Sequence, residues 1–186
     1  MALLIVGLVL FIGIHSIRLV PGGRAALISG FGAGGFKVLY TLISLIGFVL
    51  IIIGKIQAHP SETLYYPPEW GRTLALFAVP LALILIAAAY TPSHIRRFVQ
   101  HPMLLGVVLW SGSHLAANGE RAAVYLFGAF FVWSVVTMIA AFVRGDHPPK
   151  PPQGWGGDVV AIVIGALLAA LLARFHVYLF GVGIIG

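Results

Sequence analysis

The sequence predicts an all-α protein: a polytopic membrane bundle of about six transmembrane helices that forms one domain over residues 1–186. Of its residues, 60% are hydrophobic and only 9% are charged, and the mean hydropathy is +1.05. A soluble domain carries about a quarter charged residues. The apolar residues also form separate runs, and a helix needs about 20 of them to cross a bilayer. These features exclude an ordinary soluble domain.

Six apolar segments are the predicted helices: Ala2–Leu19, Val38–Gly54, Thr73–Tyr90, Met103–Ala117, Ala122–Val143 and Asp158–Ala173. No basic stretch precedes the first segment, so we expect a retained helix rather than a cleaved signal. Small residues recur at helical spacing, as in Gly47 with Gly54 and Gly165 with Ala169. Such pairs predict close helix–helix packing.

Glycine and proline mark the predicted loops between these segments. They occur at Pro21–Gly23 and Gly32–Gly35, His59–Pro60 and Pro67–Pro68, Thr91–Ser93, and Gly145–Gly157. The last of these contains Pro148-Pro149-Lys150-Pro151-Pro152 and predicts an extended, polyproline-like loop. The apolar tail after Arg174 either extends the sixth helix or lies at the membrane interface.

The net charge of +6 comes from eleven Lys and Arg residues spread over several loops. This scatter favours membrane lipid as the partner and argues against nucleic acid. The odd-numbered loops hold Arg18, Arg24, Lys37, Arg96, Arg97, Arg144 and Lys150, whereas the even-numbered loops hold Lys55, Arg72 and Arg121. The positive-inside rule then places the odd loops in the cytoplasm. We expect a multi-pass protein of a bacterial inner membrane with both termini in the periplasm.

Histidines are the main candidate ligands, because the chain has no cysteine. The lack of cysteine excludes disulfides, thiolate metal sites, iron–sulfur clusters and covalently attached haem. His15, His114 and His176 fall within or at the end of apolar segments, where a polar side chain is costly and therefore indicates function. His59, His94, His101 and His147 lie in loops or at segment ends.

Each of the two central histidines has polar neighbours in sequence. Arg18 follows His15 by one helical turn; the alternative is a helix end with a snorkelling arginine. Trp110, His114 and Asn118 share one helix face. Asn118 or Ser111 is a candidate partner for one imidazole nitrogen of His114, which would leave the other for a metal. The alternative there is a polar seam between helices.

A pair of buried histidines suits haem b, because neutral imidazole binds haem iron and helix bundles hold this cofactor. From their positions in the segments, His15 and His114 are offset by about 12 Å along the membrane normal, so a tilted porphyrin would bridge them. His176 is a rival ligand at the depth of His114. His101 is a further rival, but it lies about 20 Å from His114 on another face of the same helix, which favours a separate role.

Four motifs together resemble the NnrU family, which also includes relatives of the 15-cis-ζ-carotene isomerase of plants and cyanobacteria. They are His15-Ser16-x-Arg18, His101-Pro102-x-x-x-Gly106, Leu109-Trp110-x-x-x-His114 and Ala117-Asn118-Gly119. The resemblance implies an integral membrane protein with haem b held by histidines. His15 and His114 match the early and central histidine positions, and we expect Arg18, Trp110 and Asn118 beside the cofactor.

The resemblance implies two kinds of chemistry. The isomerase branch isomerises a polyene double bond without net oxidation, and the bacterial branch is associated with denitrification and nitric oxide metabolism. The expectation is therefore a haem-dependent isomerase or oxidoreductase acting on a small apolar polyene or on nitric oxide. One alternative is a cofactor-free accessory or assembly protein for denitrification enzymes. Another is an isoprenylcysteine-type methyltransferase, but Arg144–Trp155 lacks a convincing Arg/Glu constellation for its cofactor.

Overall fold

The computed structural model describes residues 1–146, 154–181 and 183–184, and the α-helical prediction is confirmed over these ranges. The helices are α1 (Ala2–His15), a 3-10 helix (Ser16–Leu19), α2 (Gly23–Gln57), α3 (Trp70–Ala88), α4 (His94–Val99), α5 (Pro102–Ala117), α6 (Arg121–Val143) and α7 (Gly156–Phe180). Each of the six predicted segments corresponds to one of these helices.

Five helical segments are long and apolar enough to cross a membrane: Ala2–Leu19, Gly23–Gln57, Trp70–Ala88, Arg121–Val143 and Gly156–Phe180. The remaining predicted span, the fourth in chain order, corresponds to α5, which is apolar but has only 16 residues. At 1.5 Å per residue it is roughly 24 Å long, somewhat less than a full bilayer core. The chain is thus a multi-pass membrane protein with one short helix among long ones.

The first predicted loop is largely helical, which corrects the boundary expected for the second segment. Helix α2 begins at Gly23, and only Gly32 (φ 70°, ψ 164°) leaves the helical conformation within it. That dihedral pair is open to glycine, so the helix bends sharply there instead of ending. Helix α4 lies in the third loop, and α7 continues to Phe180. The predicted polyproline segment at 148–152, with Lys150, lies outside the described residues, as does His147.

The helices pack as a row in the order α2, α1, α6, α5, α3, α7. Successive spans alternate in direction. We call one end of the bundle the Met1 end, where α1, α3 and α6 begin and α2 and α5 finish. We call the other the Arg18 end, where α1 and α6 finish and α5 and α7 begin. Since α6 contacts both α1 and α5, it separates the two helices that carry His15 and His114.

Glycines allow the closest contacts in this row, as the small-residue spacing predicts. A Cβ on Gly7 of α1 would lie 2.6 Å from the backbone nitrogen of Ile51, and one on Gly47 would lie 2.8 Å from that of Phe11. A Cβ on Gly54 would collide with the backbone of Leu4, and one on Gly165 with that of Ile84. Close backbone approach replaces the hydrophobic driving force that lipid does not provide.

The loops at the Met1 end are hydrogen-bonded to each other. Leu64 N donates to Gly119 O and Arg121 N donates to Glu62 O, both at 2.8 Å. The Tyr65 hydroxyl donates to the carbonyl oxygens of Leu115 and Asn118 at the end of α5. We call residues 61–65 and 118–122 the Met1-end cap, because they close the bundle over the end of α5.

Candidate functional site

His15 is the last residue of α1, and its ring is fixed by the preceding turn. The imidazole stacks on Phe11 with a centroid distance of 4.1 Å, and its Nδ1 lies 2.6 Å from the Phe11 carbonyl oxygen. The edges of two more rings contact it, Tyr40 of α2 at 5.2 Å and Trp133 of α6 at 6.0 Å between centroids. Three helices therefore determine the orientation of this imidazole.

His114 repeats this arrangement in the last turn of α5. Its Nδ1 lies 2.7 Å from the carbonyl oxygen of Trp110, again four residues earlier. Its ring stacks on Phe127 of α6 at 4.5 Å between centroids and lies 5.6 Å from the ring of Trp110. Both histidines thus follow an aromatic residue by four positions and bond to that residue's carbonyl group.

This shared arrangement fixes the tautomer of each imidazole. A carbonyl oxygen only accepts, so Nδ1 must donate its proton, and the lone pair of the neutral ring lies on Nε2. Metal-binding histidines commonly donate their other N–H to a backbone carbonyl in this way. No hydrogen bond to Nε2 of either histidine is present among the described residues.

The predicted partners of the His114 ring, Asn118 and Ser111, are wrong. Asn118 leaves the helix with an extended backbone (φ −150°, ψ 113°). The Ser111 hydroxyl donates to the carbonyl oxygen of Val107 at 2.6 Å. The carbonyl group of Trp110 holds the ring instead, because it lies one turn earlier on the same face of α5.

A path of ring contacts joins the two histidines. Phe11 lies 5.6 Å from Phe130, and Phe130 lies 5.5 Å from Trp110, between centroids. Both imidazoles pack against α6, His15 at Trp133 and His114 at Phe127. Phe127 and Trp133 are six residues apart, which is about 9 Å along the axis of α6. The sequence predicts a larger offset between the two histidines, of about 12 Å.

The rival histidines lie on either side of this arrangement. His176 lies one turn before the end of α7, so it belongs to the same end of the bundle as His114. His101 precedes α5 at the Arg18 end and contacts the Phe142 ring edge-on at 4.9 Å. Its buried Nε2 has no hydrogen-bond partner in the described part of the chain. His101 and His114 therefore lie at opposite ends of α5, as predicted.

Arg18 lies in the 3-10 helix directly after His15 and points away from a buried site. Its side chain is 67% exposed, and its Nη2 lies 3.8 Å from a carboxylate oxygen of Asp146. Arg144 donates to the same carboxylate at 3.0 Å. This hydrogen bond, together with the nearby positive charges, lowers the pKa of Asp146.

No group of three or more His, Asp or Glu side chains is arranged to hold a metal ion within residues 1–146, 154–181 and 183–184.

The family model described as NnrU protein matches residues 3–184. The chain belongs to the NnrU family. The match covers both central histidines and all of the described helices except the first residue of α1. No curated protein matches, and no solved structure does.

Sequence reasoning missed the residues around His15 in this NnrU-family chain. Tyr40 and Trp133 contact its ring, and one turn further along their helices lie Ser44 and Thr137. Buried polar atoms of Ser44, Trp133 and Thr137 have no hydrogen-bond partner within the described ranges. The available signal was the i, i+4 spacing of polar side chains in two apolar segments, at Tyr40/Ser44 and Trp133/Thr137.

Proposed function

We propose that this NnrU-family protein binds haem b in the membrane, with His15 and His114 as axial ligands of the iron. The observation that carries the proposal is their shared arrangement. Both imidazoles lie within the apolar bundle, bond through Nδ1 to the carbonyl group four residues earlier, and present an Nε2 lone pair. Two neutral imidazoles are a common ligand set for haem iron in helix bundles.

The side chains around the two imidazoles are aromatic, and a macrocycle bound between the histidines would have to displace the rings that fill the path. Phe11, Phe130, Trp110 and Phe127 provide aromatic surface on the path between the histidines. Bound haem would supply a redox-active iron, either for isomerisation of a small apolar polyene or for denitrification and nitric oxide chemistry.

The chain's own residues would orient the ligands and exclude water. The carbonyl groups of Phe11 and Trp110 keep the protons on Nδ1, and stacking on Phe11 and Phe127 fixes the ring planes. The Met1-end cap closes over His114, since Tyr65 bonds to the carbonyl oxygens at the end of α5. We further propose that the Arg18 end, with its excess of basic residues, faces the cytoplasm of a bacterial cell and that both termini are periplasmic.

A second candidate function is a cofactor-free accessory protein for denitrification enzymes. The ring path from Phe11 through Phe130 to Trp110 supports it, because aromatic packing alone accounts for contacts between α1, α5 and α6. In that case His15 and His114 would serve only to join helices.

Absorption spectra of the purified protein, oxidised and reduced, test the proposal together with haem extraction. We expect a Soret band in the wild type. His15→Ala and His114→Ala should each lower the haem content by at least about tenfold or abolish the low-spin bands, since changes even to the partners of ligands cost about 10–100-fold in affinity. His59→Ala is the matched control, because this histidine is exposed and bonds to Glu120 at the Met1 end.

Three outcomes would overturn the proposal. A wild type expressed with ample haem and lacking a Soret band would favour the cofactor-free function. Wild-type spectra in both His15→Ala and His114→Ala would exclude them as the axial pair. Loss of the low-spin bands in His114→Ala and His176→Ala, but not in His15→Ala, would assign the second ligand to His176.

A further inference from the structure

A groove of about 770 Å³ runs along the outside of the bundle between α1 and α6. It extends from Ile5 and Val124 near the Met1 end to Leu19 and Val136 near the Arg18 end. At 1.5 Å per residue, its length is about 20 Å. Its lining is almost entirely apolar, and the hydroxyl of its one serine, Ser16, already donates to the carbonyl oxygen of Ile12 at 2.7 Å.

The position of the groove determines what can fill it. Both walls belong to helices that can span a membrane, so its open side faces the hydrocarbon chains of the bilayer. An unfilled space of this size would lose dispersion contacts along its whole lining. A long, narrow shape suits one extended hydrocarbon chain, and the lining is apolar apart from Ser16, Tyr125 and Trp133.

The charge at the end of the groove indicates which type of lipid the hydrocarbon chain belongs to. Arg18 adjoins Leu19 at the mouth of the groove, and its side chain is 67% exposed. The described residues at this end carry the basic side chains of Arg18, Arg24, Lys37, Arg96, Arg97 and Arg144, against the acidic side chains of Asp146 and Asp158. Such an excess attracts anionic lipid head groups.

We propose that one acyl chain of an anionic phospholipid occupies this groove and that the phosphate of the same lipid contacts Arg18. The lipid would fill the gap that α1 and α6 leave between them, on the side of α6 away from His114. Trp133 lines the groove and also contacts the His15 ring, but lipid retention and haem content are separate measurements, so either proposal can fail without the other.

Native mass spectrometry of the full chain tests the site with two probes, phosphatidylglycerol and phosphatidylcholine of identical acyl chains. Gly128→Leu should displace the acyl chain of the lipid, because Gly128 lines the groove and its new side chain would occupy the groove. The protein itself has room for this side chain, since a Cβ at Gly128 meets nothing within 4 Å. The matched control is Gly13→Leu, which is also in open space on α1 but outside the groove. Because both replace a helical glycine by leucine, their effects on helix propensity are equal.

We expect the wild type and Gly13→Leu to retain one phosphatidylglycerol. Gly128→Leu should retain at least about tenfold less, since each displaced methylene weakens membrane-chain binding substantially. Arg18→Gln should lower phosphatidylglycerol retention about fivefold, the effect of one basic residue near an anionic head group, and leave phosphatidylcholine retention unchanged. Val132→Trp, at a second groove residue that is 60% exposed, provides an independent block if Gly128→Leu does not fold.

Equal lipid retention by Gly128→Leu and Gly13→Leu, with Val132→Trp also unaffected, would overturn the site. Retention of both lipids alike by the wild type would overturn the role of Arg18. A wild-type dimer that Gly128→Leu dissociates would assign the groove to a second copy of the chain instead.

Discussion

Both ends of the bundle carry ion pairs, but in the described part of the chain only the Met1 end has main-chain hydrogen bonds between distant loops. At the Met1 end, main-chain hydrogen bonds join two loops that lie far apart in sequence, at Leu64–Gly119 and Glu62–Arg121. At the Arg18 end, side-chain carboxylates make the connections between described residues: Asp158 with His94 and the backbone of α4, and Asp146 with Arg18 and Arg144. Each end lies beside one of the two central histidines.

This difference suggests different roles for the two ends. Main-chain hydrogen bonds between loops fix the backbone, so His114 lies beneath a rigid cover. The exposed ion pairs of Asp146 contribute little stability and are screened by salt, so the surface around Arg18 can rearrange more easily, whereas Asp158 is buried. The Arg18 end also carries the excess of positive charge. We therefore expect substitutions in the Met1-end cap to affect the fold more strongly than substitutions of the exposed ion pairs at the Arg18 end.

The largest expected effect on stability is that of Gly119→Ala in the Met1-end cap. An added Cβ would collide with the carbonyl oxygen of Tyr65, and such overpacking costs about 1–3 kcal/mol. The thermal midpoint, followed by tryptophan fluorescence, should fall by roughly 2–10 °C. Gly34→Ala is the control at the Arg18 end, because a Cβ there meets nothing within 4 Å. Equal midpoints for both variants would contradict the comparison.

An intermediate effect is expected for Tyr65→Phe, which removes the hydroxyl that bonds to the end of α5. Losing this hydrogen bonding should cost about 0.5–1.5 kcal/mol. Burial raises the pKa of Tyr65 above 10.0, so the wild type's advantage over the variant is fully present below pH 10.0. It should decline as the pH rises through the higher folded-state pKa.

The neighbouring Tyr66→Phe is the control for this change, since Tyr66 is 90% exposed. Its thermal midpoint should match that of the wild type from neutral pH to above pH 10. A Tyr65→Phe variant with the same midpoint as Tyr66→Phe at neutral pH would show that the hydroxyl does not stabilise the cap.

The smallest effect is expected for Asp146→Asn at the Arg18 end. The hydrogen bond from Arg144 lowers the pKa of Asp146 below 3.8, so the contribution of the carboxylate is fully present above pH 3.8 and is lost as the pH falls through the lower folded-state pKa. Because these ion pairs are exposed, the midpoint at neutral pH should not change measurably. Asp158→Asn should lower it clearly, since the buried Asp158 accepts bonds from the His94 and Ile95 backbone. The comparison would be wrong if Asp146→Asn were the more damaging of the two.

Much of the architecture could be predicted from the sequence, because hydropathy fixes the number and approximate position of membrane helices. The helical start of α2 could not be predicted. Glycines at 32, 34 and 35 indicate a break in the helix, but in the structure only Gly32 has a non-helical backbone conformation. Bonds such as Arg121 N to Glu62 O join residues nearly sixty positions apart. No local pattern encodes such pairs.

The candidate site could be predicted in part. His15 and His114 stand out because an imidazole in an apolar segment is costly. Helix geometry makes the carbonyl groups of Phe11 and Trp110 possible partners of the two imidazoles. Side chains such as Ser111 are also possible partners, and only the folded structure shows which one is used. Tyr40 and Trp133 come from other helices, so their contacts with His15 depend on how α2 and α6 pack against α1.

Rescue by free imidazole tests most directly whether His15 and His114 bind the same haem. The purified His15→Gly and His114→Gly variants would be supplied with haem, and their absorption spectra recorded with and without added imidazole. We expect each variant to lack the low-spin bands when no imidazole is added and to regain them with imidazole, because the free base replaces the missing ligand. Low-spin bands in either variant without imidazole would contradict coordination by both histidines.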